Sequence, residues 1–273
     1  MCPVEEFIEE KQIRLSVSKT KTFLACAKSF KYNYIEKIPQ KDQGHLTFGS
    51  FCHLVLENFH IAYMNHSILT HGKQMQLAYK AAVDNPEFSE KLTSEMKSEC
   101  KAIMNQYIQF LKGETPEVLG VEDKFTQAVN DHRITVTMNG LIDRIDLDPD
   151  GIYHVKDYKT NKDSKYLKGD WFQLLTYAYV LLQRYPEIEK VRGSYVMLRN
   201  NFEHITQTFD KEEILTTKQK YLDYGYKIAT ETNYVANPTI LCGWCSYLEL
   251  CKEGQQKVNA STQFNPIKGE IAW

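Results

Sequence analysis

Hydrophobic residues recur at two different spacings along the chain. A spacing of three to four residues predicts helices over residues 16–36, 46–64, 73–112 (with an interruption near Pro86), 170–184 and 211–230. Alternation of apolar and polar residues, with Val, Ile and Thr prominent, predicts strands over residues 117–129, 132–147, 152–159, 190–199 and 203–209. Turn residues join the first three strands into an antiparallel meander. The mixture of helices and strands predicts an α/β fold.

Composition narrows the class of protein only a little. The chain has 273 residues, of which 42% are hydrophobic and 25% charged, and its formal net charge is -2. That charge neither indicates nor excludes a nucleic-acid partner, because an enzyme needs only a local basic groove. No run reaches the ~20 apolar residues of a membrane span, and the acidic N-terminal segment lacks the apolar core of a secretory signal. We therefore expect a soluble, intracellular protein of the cytoplasm that does not use a membrane.

Two aspartates and a lysine are brought together by the predicted strands. Asp143 lies in the strand before the Asp-Pro-Asp-Gly turn at 148–151, and Asp157 and Lys159 lie in the strand after it. Side chains alternate along a strand, so Asp157 and Lys159 point to one face, where Asp143 can lie beside them. Carboxylates bind Mg²⁺ or Mn²⁺, which would activate water for phosphodiester hydrolysis, and a lysine can stabilise the developing charge. The spacing alone fits a solvated hairpin equally well.

Further polar side chains accompany this cluster along the chain. His53 lies in a predicted helix, and Gln173 and Tyr177 lie one turn apart on another, hence on one face. A lone histidine is more often structural than a ligand, but this combination is harder to dismiss. Glu122 in the first predicted strand could approach the site or could be a surface residue. Glu57, one turn after His53, could orient the imidazole or be exposed.

Three of the seven cysteines crowd into one short segment near the C-terminus. Cys242, Cys245 and Cys251 form a C-x2-C-x5-C pattern, and Cys26 is the natural candidate for a fourth ligand. An odd number of cysteines and the lack of a secretory signal argue against a disulfide framework. Four thiolates can hold a [4Fe–4S] cluster, and zinc is the alternative.

The order of these residues resembles the RecB-like branch of the PD-(D/E)xK nucleases. The resemblance covers roughly residues 16–254 and rests on Gly49-x-x-x-His53, Gly140-x-x-Asp143, Asp157-x-Lys159-Thr160 and Gln173-x-x-x-Tyr177. It implies a restriction-endonuclease-like core, in which a mixed sheet is flanked by helices and carries the active site at one end. It also implies metal binding by His53, Asp143 and Asp157. Lys159 would orient the water or the phosphate, and Gln173 and Tyr177 would help to place the DNA and the active-site side chains.

The cysteine pattern resembles RecB-like nucleases that carry an iron–sulfur cluster. Among them are the AddB-type helicase–nuclease subunits, the CRISPR-associated iron–sulfur exonucleases and the eukaryotic exonucleases of the exonuclease V kind. They have one cysteine before the nuclease core and a C-x2-C-x5-C trio after it, as Cys26 and Cys242, Cys245 and Cys251 do here. The implied [4Fe–4S] cluster is a staple that joins the N- and C-terminal segments.

The resemblance also implies a domain organisation. We expect a single RecB-like nuclease domain over residues 1–273, with a helical insertion at 65–115 and a cysteine segment of the iron–sulfur site at 236–254.

The activity that follows is a Mg²⁺- or Mn²⁺-dependent deoxyribonuclease, an exonuclease on single-stranded DNA or free DNA ends. The CRISPR-associated enzymes and their phage relatives are the most similar, which suggests a role in recombination, DNA repair, genome processing or spacer acquisition. No G-x-x-x-x-G-K-[ST] motif is present, so a helicase or a CRISPR-type partner would supply single strands. Alternatives are a structure-specific endonuclease and a catalytically idle DNA-binding subunit. Lysines near the predicted site are expected to face phosphates: Lys156, Lys162, Lys165 and Lys168.

Overall fold

The structure is a computed structural model that describes residues 11–40, 44–65, 68–111, 116–165 and 167–263. The chain divides into two compact units. The first contains the N-terminal residues up to Asp42, Asn130–Val136 and the residues from Leu222 onward, and the second contains Gln43–Val129 and Thr137–Tyr221. Among the described residues, no helix is both long enough and apolar enough to cross a membrane.

Most of the helices lie close to the positions that the sequence predicts, but the helix at Lys252–Gln263 was not predicted. They are α1 (Val17–Ala25), α2 (Ala27–Phe30), α3 (Gly44–Met64), α4 (His71–Val83), α5 (Pro86–Ser89), α6 (Ser94–Phe110), α7 (Phe172–Arg184), α8 (Lys211–Thr230) and α9 (Lys252–Gln263). A π-helical turn at Lys31–Ile35 follows α2, and 3-10 turns lie at Ile240–Trp244 and Leu248–Leu250. The predicted helix over 73–112 is three separate helices, α4, α5 and α6, with breaks on either side of α5. Pro86 lies in the first turn of α5, where a backbone N–H has no partner within the helix, so proline is tolerated there.

The N-terminal helix is also interrupted, contrary to the prediction of one helix over 16–36. Cys26 has an extended backbone, with φ of -162° and ψ of 107°, and separates α1 from α2. The interruption costs few hydrogen bonds, because the Cys26 N–H still bonds to the Thr22 carbonyl and the Phe30 N–H bonds to the Cys26 carbonyl. The local sequence predicts a continuous helix, and the break lies at the cysteine that the sequence singles out.

The strands are β1 (Lys11–Leu15), β2 (Glu117–Asn130), β3 (Ile134–Leu147), β4 (Tyr153–Lys159), β5 (Lys190–Met197) and β6 (Glu203–Asp210). In the second unit the order is β3-β4-β5-β6, and β2 also pairs with β3. The β3–β4 pairing is antiparallel, β4–β5 is parallel and β5–β6 is antiparallel. The first residues of β3, up to Val136, belong to the first unit. The strand β1, which also belongs to that unit, pairs with β3. The sheet is therefore mixed, as expected.

Helices cover both faces of this sheet in the second unit. On one face, Gly193 of β5 lets α7 approach, because a Cβ at that position would lie 3.0 Å from the Cβ of Leu174. On the other face, Tyr158 and Val196 join a buried apolar core with residues of α3, α4 and α6, among them Phe51 and Met104. This arrangement confirms the predicted mixed α/β fold with a sheet flanked by helices.

A charged network lies within the core on the α3–α6 side of the sheet. Arg144 of β3 is buried and forms two hydrogen bonds of 2.6 Å with Asp146. The Arg144 guanidinium also donates to the Tyr107 hydroxyl of α6 at 2.8 Å and lies 2.8 Å from the Nε2 of His60 in α3. A buried charge is tolerated only when it is paired and hydrogen-bonded. The network therefore ties α3 and α6 to β3.

Candidate active site

Side chains from five elements of the second unit meet near the C-terminal end of β4, beside the middle of β3. His53 comes from α3, Glu122 from β2, Asp143 from β3, Asp157 and Lys159 from β4, and Gln173 and Tyr177 from α7. The residues that the sequence predicts for the site, other than the cysteines, are therefore brought together. Glu122, which the sequence left open, joins them.

The backbone of Tyr158, between Asp157 and Lys159, positions two of the other side chains. Its N–H donates to Oδ2 of Asp143 at 2.7 Å, and its carbonyl lies 3.0 Å from Nε2 of His53. This contact leaves Nδ1 of His53 on the side of Asp143, whose Oδ2 lies 3.4 Å away. The D-x-K segment therefore orients ligands from two other elements as well as supplying its own side chains.

One group of side chains in the described part of the chain has the geometry of a metal site. His53, Glu122 and Asp143 each offer one ligand atom, and these atoms lie within 4.8 Å of one another. Imidazole and carboxylate ligands suit Mn²⁺, and carboxylates suit Mg²⁺. This set shares His53 and Asp143 with the predicted metal ligands and adds Glu122. Asp157 as a metal ligand stays a prediction.

Glu122 is held in an unusual backbone conformation in the middle of β2. Its φ is +47°, in the left-handed region that residues other than glycine seldom adopt, at a cost of roughly 1–3 kcal/mol. Burial, together with the nearby Asp143 carboxylate, raises the pKa of Glu122 to about 7. A cation between these two carboxylates would relieve their repulsion. No simple sequence pattern indicates this residue, because its position depends on the local departure from strand geometry.

Asp157 and Lys159 lie beside this trio and are bonded to α7. Oδ1 of Asp157 accepts hydrogen bonds from Nε2 of Gln173 at 2.6 Å and from the Tyr177 hydroxyl at 3.3 Å. Nζ of Lys159 donates to Oε1 of Gln173 at 3.0 Å. Gln173 therefore bridges the carboxylate and the ammonium group. Contact of Gln173 and Tyr177 with DNA stays a prediction, and Tyr177 is buried.

The second oxygen of Asp157 is incompletely satisfied. Oδ2 is buried and forms an ion pair with Nζ of Lys159 at 2.5 Å, but the two groups do not meet with the angles of a hydrogen bond. A buried carboxylate oxygen of this kind carries a desolvation cost that a cation or a bound water can offset. The donor set therefore fits a divalent cation.

The electrostatics of the site favour added positive charge. Burial raises the pKa of Asp157 and the Asp143 carboxylate adds to this, while Lys159 opposes both. Burial lowers the pKa of His53, but Asp143, Asp157 and Glu122 outweigh it and raise the pKa to about 9. His53 therefore carries a proton at neutral pH, and a cation must displace that proton to bind Nδ1.

The two glycines of the sequence pattern make room for neighbouring side chains. A Cβ on Gly140 of β3 would lie 2.7 Å from Cζ of Phe125 in β2, so the ring occupies the space above the glycine. A Cβ on Gly49 of α3 would lie 3.2 Å from Oγ1 of Thr160, the residue after Lys159. Close approach of elements, rather than a turn, explains both glycines.

One of the lysines expected to face phosphates does not do so. Lys156 lies on the face of β4 opposite Lys159, and its Nζ pairs with Asp146 at 2.8 Å within the charged network. That expectation was wrong for Lys156, because side-chain alternation separates positions 156 and 159. Lys162, Lys165 and Lys168 are exposed in the segment after β4, and Nζ of Lys165 lies 2.8 Å from Asp163.

The four cysteines lie together in the first unit, away from these carboxylates in sequence. Cys26, Cys242, Cys245 and Cys251 line one cavity of about 280 Å³. Backbone N–H groups point at three of the sulfurs, from Asn237 to Cys26 at 3.5 Å, from Thr239 to Cys242 at 3.4 Å and from Gly254 to Cys251 at 3.4 Å. Such N–H···S contacts are suited to thiolates, so this cavity is a second candidate site.

The comparisons with known proteins agree with the nuclease prediction. The family model of the PD-(D/E)XK nuclease superfamily matches residues 14–252, and the chain belongs to that superfamily. The mixed sheet flanked by helices is thus that of a nuclease superfamily, whereas the catalytic roles of the carboxylates and the lysine, and the RecB-like branch, stay predictions. No curated protein has a significant sequence match to this chain.

Two solved structures are similar to this chain at low sequence identity. One is the protein designated SSO0001, with 13% identity over 88% of this chain and 85% of that chain and a TM-score of 0.43. The other is described as a "putative exonuclease" from Eubacterium rectale, with 13% identity over 95% of this chain and 91% of that chain and a TM-score of 0.48. The superfamily assignment rests on the family match.

Proposed function

We propose that this protein is a RecB-like, Mg²⁺- or Mn²⁺-dependent deoxyribonuclease that degrades single-stranded DNA or DNA ends exonucleolytically. The observation that carries the proposal is the grouping of His53, Glu122 and Asp143 within 4.8 Å beside the Asp157–Lys159 pair. Carboxylates, an imidazole and a lysine in one partly buried site are the groups that metal-assisted phosphodiester hydrolysis needs.

His53, Glu122, Asp143 and Asp157 would hold the cation. When bound, the cation would lower the pKa of a water and neutralise charge on the phosphate. The protein's own contribution is orientation. The Tyr158 backbone fixes Asp143 and His53, and Gln173 fixes Asp157 and Lys159. Groups held in this way do not have to reorganise during the reaction, which is the basis of electrostatic stabilisation.

Lys159 is the group of the site best suited to meet a phosphate. Its side chain is 21% exposed, and its ammonium group lies 5.3 Å from the centre of the Tyr195 ring. The aromatic ring and Gln173 hold the ammonium group in one place, so it can stabilise the charge on the phosphate or position the attacking water.

The cellular role follows from the resemblance to RecB-like enzymes. The chain contains no nucleotide-binding P-loop motif, so a helicase or a CRISPR-type complex would provide single strands, or the enzyme would act on ends that are already open. Recombination, DNA repair, genome processing and spacer acquisition are the processes that need such an activity. We place the reaction in the cytoplasm.

A [4Fe–4S] cluster held by Cys26, Cys242, Cys245 and Cys251 is part of the proposal. Four thiols around one cavity, with backbone N–H groups at three of them, fit such a cluster. Zinc held by the same four thiolates is the alternative, and metal analysis distinguishes the two. The cluster would join segments that are roughly two hundred residues apart.

Cleavage of end-labelled single-stranded DNA, linear and circular, tests the nuclease. We expect the protein, purified without oxygen, to degrade the linear strand with Mn²⁺ or Mg²⁺ but not with a chelator, and to leave the circle intact. Asp157→Asn should lower the cleavage rate by about 10²–10³-fold, because it removes a charge from the metal site. Asp163→Asn, an exposed neighbour in sequence, should have no effect. Cutting of the circle would favour an endonuclease, and full activity in Asp157→Asn would refute the site.

Metal analysis of the purified protein tests the cluster. We expect about four iron atoms and four sulfides per chain, with the absorption of an iron–sulfur cluster. Cys26→Ser should lower the iron content and the thermal midpoint, whereas Cys2→Ser, a cysteine outside the C-x2-C-x5-C pattern, should lower neither. Stoichiometric zinc without iron in protein purified anaerobically would refute the cluster.

A further inference from the structure

A groove runs between α4 and α6 in the second unit, apart from the carboxylates and lysine of the candidate active site. It has a volume of about 820 Å³, and its lining includes the apolar side chains of Met75, Val83 and Met104. Its rim carries the polar side chains Lys73, Gln76, Lys80, Lys101, Asn105 and Gln109. We call this feature the α4–α6 groove.

The charge of the α4–α6 groove has one sign. Lys73, Lys80 and Lys101 are exposed, and none of the residues lining the groove is acidic. The whole of α4 contains no aspartate or glutamate. Amide side chains on the rim can donate hydrogen bonds to oxygen, as the lysines do. A groove with these donors is complementary to a negatively charged chain. It is not complementary to a cation or to a basic protein surface.

The spacing of the rim suits a single strand of nucleic acid. Lys73 and Lys80 lie seven residues apart on α4, which places them about 10 Å apart on one side of the helix. Lys101 lies on the α6 side, so the three ammonium groups can contact different phosphates of one strand that lies in the groove.

The α4–α6 groove is joined to the candidate active site through α3. The ring of Tyr79, which lines the groove, lies 5.8 Å from the ring of Phe51, and Phe51 precedes the metal-site residue His53 by two positions. The Tyr79 hydroxyl donates to the carbonyl of Lys97 in α6 at 2.8 Å, which fixes α6 against α4. The groove is thus built on the helix that supplies His53.

We propose that the α4–α6 groove binds the phosphate backbone of the single-stranded DNA substrate at a distance from the cleavage site. The inference rests on the proposed nuclease function and adds a second contact for the same strand. Lys73, Lys80 and Lys101 bind phosphates there, while the carboxylates and Lys159 act on the bond to be cut. This contact holds a long strand during repeated cleavage.

Binding of single-stranded DNA by the full chain, measured with a chelator at several salt concentrations, tests the proposal. The variant Lys73→Ala/Lys80→Ala/Lys101→Ala should bind at least tenfold more weakly, and its plot of log affinity against log salt should be shallower by about 2, because each phosphate contact contributes about 0.7. With Mn²⁺, its KM for a long strand should rise while kcat stays unchanged. The matched control Lys91→Ala/Lys190→Ala/Lys218→Ala removes three exposed lysines elsewhere in the second unit. It should leave the affinity, its salt dependence and the KM unchanged.

The outcomes separate this inference from the nuclease function. Equal affinities and salt dependences for the two triple variants would overturn the groove and leave the nuclease intact. A wild-type protein that binds DNA without cutting it, with binding weakened only in the groove variant, would support the groove and refute the nuclease. A wild-type protein that binds no single-stranded DNA would overturn both.

Discussion

Glu122 combines an unfavourable backbone conformation with a position in the candidate metal site. Its φ of +47° would suit glycine, yet the sequence places there a carboxylate that lies against His53 and Asp143. Strain of this kind persists where the surrounding structure holds it, and it is concentrated at functional sites. Substitutions at Glu122 can therefore distinguish whether its carboxylate serves metal binding or the stability of the fold.

Replacing Glu122 by glycine should separate the two roles. We expect Glu122→Gly to raise the free energy of unfolding by about 1 kcal/mol, because it relieves the left-handed conformation. The Mn²⁺ concentration for half-maximal cleavage should rise about tenfold, because a ligand is lost. Urea unfolding and metal titration of the cleavage rate measure the two effects.

Two further variants complete this test. Glu122→Gln keeps a side chain at this strained backbone position and should show the metal effect without the gain in stability. Glu117→Gln, an exposed glutamate of the same strand, should show neither effect. An unchanged Mn²⁺ requirement in Glu122→Gly would show that Glu122 is not a ligand.

At the scale of elements, the positions of β2 and β3 depend on a glycine and an aromatic ring. Gly140 lies three residues before Asp143, and the Phe125 ring fills the space that a side chain at Gly140 would need. The ring of Phe125 also lies 6.1 Å from that of Tyr177 on α7. The packing around Gly140 thus connects β3, the strand of Asp143, to α7, the helix whose side chains form hydrogen bonds with Asp157.

Adding a methyl group at Gly140 should disturb this packing. We expect Gly140→Ala to lower the free energy of unfolding by about 1–3 kcal/mol, because the Cβ would lie 2.7 Å from the Phe125 ring. Thermal or urea unfolding measures the loss. Adding Phe125→Leu to Gly140→Ala should restore part of it. Gly72→Ala, where the added Cβ meets nothing within 4 Å, should not destabilise the protein, and equal losses in the two alanine variants would contradict this explanation.

At the scale of the whole molecule, buried histidines in the second unit link stability to pH. Burial and the nearby Lys156 lower the pKa of His154 to about 4, although Asp148 opposes them. Burial and Arg144 lower the pKa of His60 well below its usual range. Both histidines are therefore neutral in the folded protein at pH values where an unfolded chain, with a histidine pKa of about 6.5, would be protonated.

These two histidines should therefore destabilise the folded protein in acid, well above the usual range of carboxylates. At both of them the unfolded chain binds more protons below about pH 6.5, so their contribution to the free energy of unfolding should fall from there towards pH 4, by about 1.4 kcal/mol for each unit of pKa difference. Glu122, whose pKa is raised, acts in the opposite direction over the same range. Urea unfolding at neutral pH and at about pH 5 measures the change. His154→Gln, which cannot titrate, should show a shallower pH dependence, and an identical slope in the two proteins would contradict the assignment.

Local sequence patterns were sufficient to predict most of the longer helices and strands and the main polar residues of the site. Periodicity located α3, α7 and the strands β2 to β6, because amphipathic patterns of these lengths are local. Alternation placed Asp157 and Lys159 on one face of β4, and motif order supplied His53, Asp143, Gln173 and Tyr177. These are properties of short segments, so they could be predicted before the chain was folded.

How those residues meet depends on contacts between segments that are distant in sequence. The strand β1 is five residues long with a single buried residue, Leu15, and only its pairing with β3 reveals it. The break at Cys26 lies within a sequence that favours helix, and the cavity that it lines includes residues from the other end of the chain. Glu122 lies beside His53 and Asp143 at a position of positive φ, and Tyr158 orients those two side chains through backbone atoms that no side-chain pattern encodes. Local sequence fixes periodicity and chemistry, whereas contacts between distant segments depend on packing that only the folded chain provides.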